Sequence, residues 1–119
     1  MGTFYVDIGI GHPLGGDFLP VSALVDTGST HSVIPESLLA SLSLAPLERR
    51  TYRIADGNFI QRDVGEARFR IDNRERTCPI IFGPEGQYLL GATTLGIFDL
   101  MVDPTQPNPS LVSIDDFLL

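Results

Sequence analysis

Residues 23–30 read Ala23-Leu24-Val25-Asp26-Thr27-Gly28-Ser29-Thr30, and the rest of the chain is organised around them. An apolar run brings one carboxylate, Asp26, to a point where Thr and Gly predict a sharp turn. Gly28 permits a tight turn and lets backbone N–H groups approach the carboxylate. Ser29 is placed to donate a hydrogen bond to the ionised carboxylate, and Thr27 to lock the turn with its hydroxyl. The pattern predicts a strand that presents Asp26 at its end.

A carboxylate at such a turn can take part in acid–base catalysis when a second carboxylate lies next to it. Two carboxyl groups that share one proton cannot both ionise, so one serves as an acid while the other serves as a base. Such a pair can activate a water molecule and protonate the carbonyl oxygen that the water attacks. Because the chain contains a single Asp-Thr-Gly, we expect a second copy of the chain to supply the partner of Asp26.

Length and composition predict one globular domain that spans residues 1–119. Apolar residues make up 43% of the 119 residues and charged residues 19%, which is an ordinary balance for a folded protein. No apolar run approaches the roughly 20 residues that cross a bilayer. The first seven residues lack the basic start and apolar block of a signal peptide. We therefore expect no membrane segment, and either a cytoplasmic protein or a soluble domain of a larger one.

The formal charge of −7 argues against nucleic acid as a partner, because nucleic-acid binding depends on Lys and Arg neutralising phosphates. We interpret this negative charge as a contribution to solubility and not as a means of attracting a basic substrate. Two histidines and one cysteine, His12, His31 and Cys78, fit no zinc-ligand spacing. We therefore expect no metal and no cofactor, and we interpret Cys78 as a small buried apolar residue.

Alternation of apolar and polar residues predicts strands along most of the chain. The predicted strands cover residues 3–10, 19–25, 31–34, 77–82, 100–102 and 111–114. Two short helices are expected, one at residues 35–42, with Pro35 at its first position, and one at residues 92–98.

Residues 47–71 have the pattern of a long hairpin. Ala55-Asp56-Gly57-Asn58 separates two alternating runs, and Asp-Gly in that position is a strong hairpin signal. Gly65 is interpreted as the site of a bend or bulge in the second strand. The chain ends in Phe117-Leu118-Leu119, which either folds back on the core or meets a partner.

Three features in this order resemble the retropepsin family, the retroviral-type aspartic proteases and their cellular and bacterial relatives. Asp26-Thr27-Gly28-Ser29 resembles the catalytic turn of the family, and residues 50–62 resemble its flap. Leu89-Leu90-Gly91, followed by a predicted helix, resembles its motif of two apolar residues and a glycine. The catalytic turn alone is a weak signal, whereas the ordered set is fairly specific and covers nearly the whole chain.

The resemblance implies an all-β, acid-protease fold: a mostly antiparallel closed β barrel with one or two short helices, active as a symmetric homodimer. It implies an aspartic endopeptidase that hydrolyses peptide bonds with a dyad of Asp26 from two identical subunits. An extended peptide or protein substrate would lie between the flap and the floor of the site, hydrogen-bonded like an added strand.

The resemblance also assigns roles residue by residue. Thr27, Gly28 and Ser29 would form the active-site loop. The flap residues that bind substrate would be Ile54, Ala55, Asp56, Gly57 and Asn58. Leu89 would line a side-chain pocket, while Leu90 and Gly91 would support the catalytic turn.

This sequence departs from the family pattern at three places. Many viral members have Ala where Ser29 stands, and the serine is closer to the pepsin-like pattern, which implies more acidic working conditions. The flap tip holds one glycine where the family has several. The dimer interface is expected to rest mainly on Phe117, Leu118 and Leu119.

Two other functions compete with the protease hypothesis. The second-ranked one is a catalytically silent retropepsin-like domain that binds peptides or dimerises. The third comes from Asp-Thr-Gly-Ser-Thr, which also resembles the first phosphate loop of actin-like ATPases and sugar kinases. Those proteins need two large lobes around the nucleotide, and the chain is too short to form them.

Overall fold

The computed structural model of the chain describes residues 4–103 and 110–113, which form nine strands and two short helices. The strands are β1 (Tyr5–Gly11), β2 (Leu19–Val25), β3 (Ser32–Pro35), β4 (Glu48–Arg53), β5 (Phe59–Ile71), β6 (Arg74–Gly83), β7 (Leu89–Leu90), β8 (Leu100–Asp103) and β9 (Ser110–Ser113). The helices are α1 (Glu36–Ser41) and α2 (Ala92–Ile97). The prediction of a strand-rich fold with two short helices is confirmed.

Seven strands form one sheet in the order β1-β2-β7-β3-β6-β5-β4, and β1 pairs with β5 as well. β8 and β9 form a separate two-stranded sheet. The neighbours β2 and β7 run parallel, as do β3 and β6, while the other pairs are antiparallel. The sheet is therefore mostly antiparallel, and the short strand β7 lies between β2 and β3.

The core is apolar and draws on nearly every element. Its largest fully buried apolar side chains are Phe69, Phe98, Ile10, Ile34, Leu39, Ile80 and Leu90. Helix α1 contributes through the expected stripe, since Leu39 is buried while Leu38 and Leu42 pack partly buried against the core. Burial of this stripe, more than the propensity of a six-residue helix, holds α1 in place.

The turn between β5 and β6 is tighter than the sequence suggested. Asp72 and Asn73 both have positive φ, 50° and 66°, the left-handed conformation that Asp and Asn tolerate best. As a result β6 begins at Arg74, three residues before the predicted start. The added residues are polar, and Glu75 pairs across the strands with Arg68, 3.4 Å from carboxylate oxygen to guanidinium nitrogen.

Two local predictions need correction. Of the bend or bulge expected at Gly65, the bulge is wrong, because the register from Val64 to Ile71 runs without interruption along β6. Gly65 is buried there, and a Cβ atom on it would stand 3.0 Å from the ring of Phe82, so the glycine makes room for a neighbour. Pro35 is the last residue of β3 and the N-cap residue of α1, so it precedes the first helical position instead of occupying it.

Some predictions concern parts of the chain outside the described residues. These are the strand position at Thr3, the end of the last strand at Ile114, and the interface formed by Phe117, Leu118 and Leu119. Within residues 4–103 and 110–113, neither helix has the length and apolar character that a membrane crossing requires.

Candidate active site

Strand β2 ends by presenting Asp26. The Asp26 N–H donates to the carbonyl oxygen of Leu90 at 3.0 Å, and the Ser29 N–H donates back to the Asp26 carbonyl at 3.1 Å, which closes the turn. The Gly28 N–H donates to the Asp26 carboxylate at 3.0 Å. A Cβ atom at Gly28 would lie 3.3 Å from that carboxylate, so the glycine allows the approach that the sequence predicted. Two hydrogen bonds of the Asp26 backbone and one to its carboxylate thus hold Asp26 in position.

Strand β7 lies directly behind this turn. Leu24 and Val25 of β2 pair in parallel with Leu89 and Leu90, and Val33 of β3 pairs with Leu89 from the other side. The side chain of Leu90 is fully buried. The segment expected to support the catalytic turn therefore lies between the strand that precedes Asp26 and the strand that follows it.

Gly91 allows the closest approach in this region. A Cβ atom at Gly91 would lie 2.5 Å from the carbonyl oxygen of His31 and 2.8 Å from that of Ser29, both backbone atoms. Because the two segments lie so close, the amides after Gly91 form hydrogen bonds between them. The Ala92 N–H donates to Ser29 O at 2.7 Å and the Thr93 N–H to Thr30 O at 2.9 Å. We call residues 26–32 together with residues 89–94 the floor.

A buried pair of hydroxyls, Ser32 and Thr94, ties the two halves of the floor together. Their oxygens are 2.6 Å apart, and Ser32 Oγ also accepts the Gly91 N–H at 3.0 Å. Both side chains have no exposed surface. The sequence predicted only that Thr94 lies in a short helix at residues 92–98, and α2 carries no side-chain cap.

The hydroxyl of Ser29 does not contact the carboxylate of Asp26. Its Oγ donates to the carbonyl oxygen of His31 at 2.8 Å, and a hydroxyl has one proton to donate. The predicted hydrogen bond from Ser29 to Asp26 is therefore wrong for this structure, and Ser29 instead braces the turn internally. Thr27 is exposed at the tip of the turn.

Strands β4 and β5 and the turn between them form a hairpin, residues 48–64, that we call the flap hairpin. At its tip the Ile54 N–H donates to Asn58 O at 2.8 Å, and the Gly57 N–H donates to Ile54 O at 2.9 Å. Gly57 has a φ of +89°, and Asp56 accepts the Asn58 N–H at 2.9 Å. The four-residue turn forms where the Asp-Gly signal predicted it.

A cleft of about 350 Å³ separates the floor from the flap hairpin. Its lining residues are Ser29, Thr30, His31, Val33, Tyr52, Ile60, Arg62, Ile81, Gly83, Pro84, Gln87 and Leu89. Of the predicted site residues, Ser29 and Leu89 reach the cleft, whereas residues 26–28, 90–91 and 54–58 lie outside this lining, the last of these exposed at the tip of the hairpin. Tyr52, Ile60 and Arg62 are cleft residues that the sequence analysis did not single out.

His31 and Tyr52 connect the two walls of the cleft. Their rings meet edge to face, with centroids 6.0 Å apart and planes inclined at 70°. The phenol oxygen of Tyr52 is buried, with no hydrogen-bond partner among the described residues. The regular spacing of Tyr52, Ile60 and Arg62 along two paired strands was the signal from which a cleft-facing surface could have been predicted.

Cys78 is buried beneath the floor on β6 and belongs to the core cluster. Burial raises the pKa of its thiol to about 11, which a hydrogen bond with Thr94 and the charges of Arg68 and Arg76 only partly offset. A thiol in this state is a poor nucleophile. Within the part of the chain that the structure describes, no group of three or more His, Cys, Asp or Glu side chains is placed to hold a metal ion.

Comparisons with known proteins agree with this geometry. The family model described as "Aspartyl protease" matches residues 13–94, which include the whole floor and the whole flap hairpin. Among solved structures, the solution structure of the Simian Foamy Virus (mac) protease matches with a TM-score of 0.59 at 20% sequence identity. The match covers 77% of this chain and 91% of the viral one, and at that identity it shows a common fold. No curated protein matches the chain.

Proposed function

The chain belongs to the aspartyl protease family, and on that premise we propose that it is an aspartic endopeptidase whose active site forms between two copies of the chain. The observation that carries the proposal is the fixed position of Asp26. Its carboxylate accepts the Gly28 N–H, and its backbone is bonded to Leu90 and Ser29. A carboxylate held this way keeps one orientation toward a substrate, as general acid–base catalysis requires.

The second carboxylate of the dyad is proposed to come from an identical chain. Among the described residues no carboxyl group is hydrogen-bonded or paired to Asp26, and the sequence holds no second Asp-Thr-Gly. A two-fold axis next to the turn would bring two copies of Asp26 together, because such an interface joins the same surface of each subunit. We also propose that the sheet closes into a barrel, which the pairing of β1 with both β2 and β5 supports.

The proposed reaction uses the pair in complementary protonation states. The ionised carboxylate takes a proton from a water molecule as the water attacks the scissile carbonyl carbon. The protonated carboxylate donates its proton to the carbonyl oxygen, and collapse of the tetrahedral intermediate breaks the C–N bond as the amine leaves with a proton. The flap tip, residues 54–58, would cover an extended peptide and exclude water from the cleft.

Digestion of an unfolded protein tests the activity. We expect the wild-type chain to cut dephosphorylated casein between mildly acidic and neutral pH, and pepstatin to block the cutting. Asp26→Asn should keep the fold, measured by circular dichroism, and lose the activity because the pair can no longer divide acid and base roles. Asp17→Asn, which changes an exposed loop carboxylate, is the matched control and should retain activity.

Other outcomes point to the competing functions. A demonstrated dimer that binds peptides and cuts none at any pH would be the silent binding domain. Magnesium-dependent nucleotide hydrolysis would favour the phosphate-loop function, which the family match and the strand-rich fold do not support. Proteolysis retained by Asp26→Asn would refute the assignment of Asp26.

Mixing experiments test the shared dyad separately from the activity. If each site needs Asp26 from both chains, an equal mixture of wild type and Asp26→Asn holds about a quarter wild-type dimers after exchange. Activity per wild-type chain should then fall to about half of that in the unmixed protein. Unchanged activity per wild-type chain would show that one chain carries a complete site.

A further inference from the structure

The two faces of the flap hairpin differ in how their arginines are paired. On the outer face Arg49 lies 3.0 Å from the carboxylate of Asp63, its partner in the strand register, and also donates to Gln61 at 3.0 Å. Nearer the tip, the guanidinium of Arg53 lies 5.4 Å from the ring centroid of its register partner Phe59. The outer arginines therefore have complementary partners within the hairpin.

On the inner face, the register places Arg50 directly opposite Arg62. Two like charges opposite each other in an antiparallel pair are unfavourable. Arg50 is partly compensated, since Glu48 lies 3.6 Å from it and the ring of Tyr52 lies beside it. Arg62 donates to the carbonyl of Gln61 at 2.9 Å and forms no ion pair with any described residue. The inner face thus presents an uncompensated positive charge.

This charge borders a cleft to which no described residue contributes a carboxylate. None of its twelve lining residues is Asp or Glu, and Arg62 is the one Lys or Arg among them. Arg62 also borders a second hollow, which Glu36 and Asp63 line as well. Neither carboxylate is within ion-pair distance of the Arg62 guanidinium, and Asp63 is paired with Arg49. In a chain with a net charge of −7, a positive cleft wall for which the described part of the chain supplies no counter-charge marks a place for an anion.

We propose that Arg62 is a specificity-determining residue that binds an acidic side chain, Asp or Glu, of the peptide in this cleft. The inference rests on the endopeptidase function proposed above and adds a substrate class to it. The guanidinium presents a planar fork of donors that matches a carboxylate. The overall negative charge repels acidic peptides at long range, so the preference arises from contact inside the cleft and not from steering.

Mapping of cleavage sites gives the first test. Peptides released from dephosphorylated casein are sequenced by mass spectrometry, and the position most enriched in Asp or Glu identifies the subsite. The best-cut sequence is then synthesised with Glu or Gln at that position. We expect wild type to cut the Glu peptide with a kcat/KM roughly tenfold higher, the size of effect that one charge-assisted hydrogen bond produces.

Matched variants assign the preference to Arg62. Arg62→Gln should cut both peptides alike, and Arg62→Glu should prefer a Lys peptide at the same position. Arg53→Gln removes a positive charge from the outer face of the same hairpin without freeing a carboxylate, and it should keep the Glu preference. A wild type without acidic preference, or a preference that survives Arg62→Gln, would overturn the proposal.

A binding measurement separates this inference from the proposed catalysis. If wild type cuts nothing, the endopeptidase assignment fails, and fluorescence anisotropy decides the fate of Arg62. The probe is a fluorescein-labelled decapeptide of alternating Glu and Val, compared with the same peptide built from Gln and Val. Tighter binding of the Glu probe by wild type, lost in Arg62→Gln and kept in Arg53→Gln, supports the inference, and equal binding of the two probes refutes it.

Discussion

The floor and the flap hairpin face each other across one cleft and are built in opposite ways. In the floor, Gly91, Ser32 and Thr94 are buried, and backbone amides bond directly between its two segments. In the flap hairpin, all five residues of the tip, 54–58, are exposed, and its hydrogen bonds run between near neighbours in sequence. The floor is held by long-range contacts and the tip by local ones.

The difference matches the division of labour that we propose. A catalytic carboxylate must stay within a fraction of an ångström of its productive position, and a network of buried bonds supplies that restraint. A segment that covers a substrate must open, and regions with few buried contacts open at low free-energy cost. Substitutions in the floor should therefore lower global stability together with activity, whereas substitutions in the flap tip should change activity more than stability.

The largest effect is expected from Gly91→Ala. The added methyl group meets the carbonyl groups of His31 and Ser29, which are backbone and cannot rotate away. Overpacking against backbone should lower the free energy of unfolding by about 3 kcal/mol or more, and activity should be lost. Urea denaturation followed by circular dichroism measures the change. Gly96→Ala in α2 is the control, because a methyl group there meets open space and should be neutral or slightly stabilising.

Ser32→Ala should produce the next largest effect. The substitution leaves the Gly91 N–H buried without its acceptor and leaves the Thr94 hydroxyl with only the weak hydrogen bond to Cys78, at a cost of about 2 kcal/mol. Adding Thr94→Val should cost less than the sum of the two single changes, because the second substitution removes the hydroxyl that has lost its stronger partner. A double-mutant cycle from urea midpoints measures this coupling. Strict additivity would show that the two hydroxyls do not support the floor together.

Sequence patterns were sufficient for the order and type of nearly every element. The Asp-Gly turn, the strand that ends at Asp26 and the apolar stripe of α1 each depend on short-range rules that the folded chain obeys. Element boundaries were less predictable, as at Arg74. Asp72 and Asn73, which both have positive φ, complete the turn within two residues. The polar residues that follow then pair with β5, so β6 begins earlier than predicted.

The parts of the candidate site that depend on long-range packing were not predictable in the same way. No local pattern distinguishes Ser32 from any other serine in a strand, and its bond to Thr94 joins residues 62 positions apart. The same holds for Ser29, whose hydroxyl could bond to either of two nearby acceptors until the fold fixed its direction. The position of Arg62 in the cleft depends on the strand register of the flap hairpin, which local sequence does not specify.

Alkaline pH should weaken the packing beneath the floor. Burial raises the pKa of Cys78 to about 11, above the value of roughly 8.5 for a free thiol. Because the folded pKa is the higher one, the stabilising contribution of the protonated thiol is complete below about pH 8.5 and is lost as the pH rises toward 11. Unfolding free energies at pH 8 and pH 10 should show this decline in wild type. Cys78→Ala should be less stable at pH 8 but should lack the thiol's share of the decline.

The smallest effect on stability is expected in the flap tip, where Gly57→Ala tests whether activity and stability separate. Gly57 has a φ of +89°, so an alanine there is strained by about 1 kcal/mol even though its methyl group meets open space. Gly16 is the matched control, with a φ of +107°, open space around it and a place in the loop between β1 and β2, which contributes no residue to the cleft lining. Both alanine variants should lose similar stability in urea, since the backbone strain is similar. Only Gly57→Ala should also lower kcat/KM, by several-fold, because the strain distorts the turn that covers the peptide. If the two variants lose activity equally, the effect is one of stability alone, and the tip does not take part in covering the substrate.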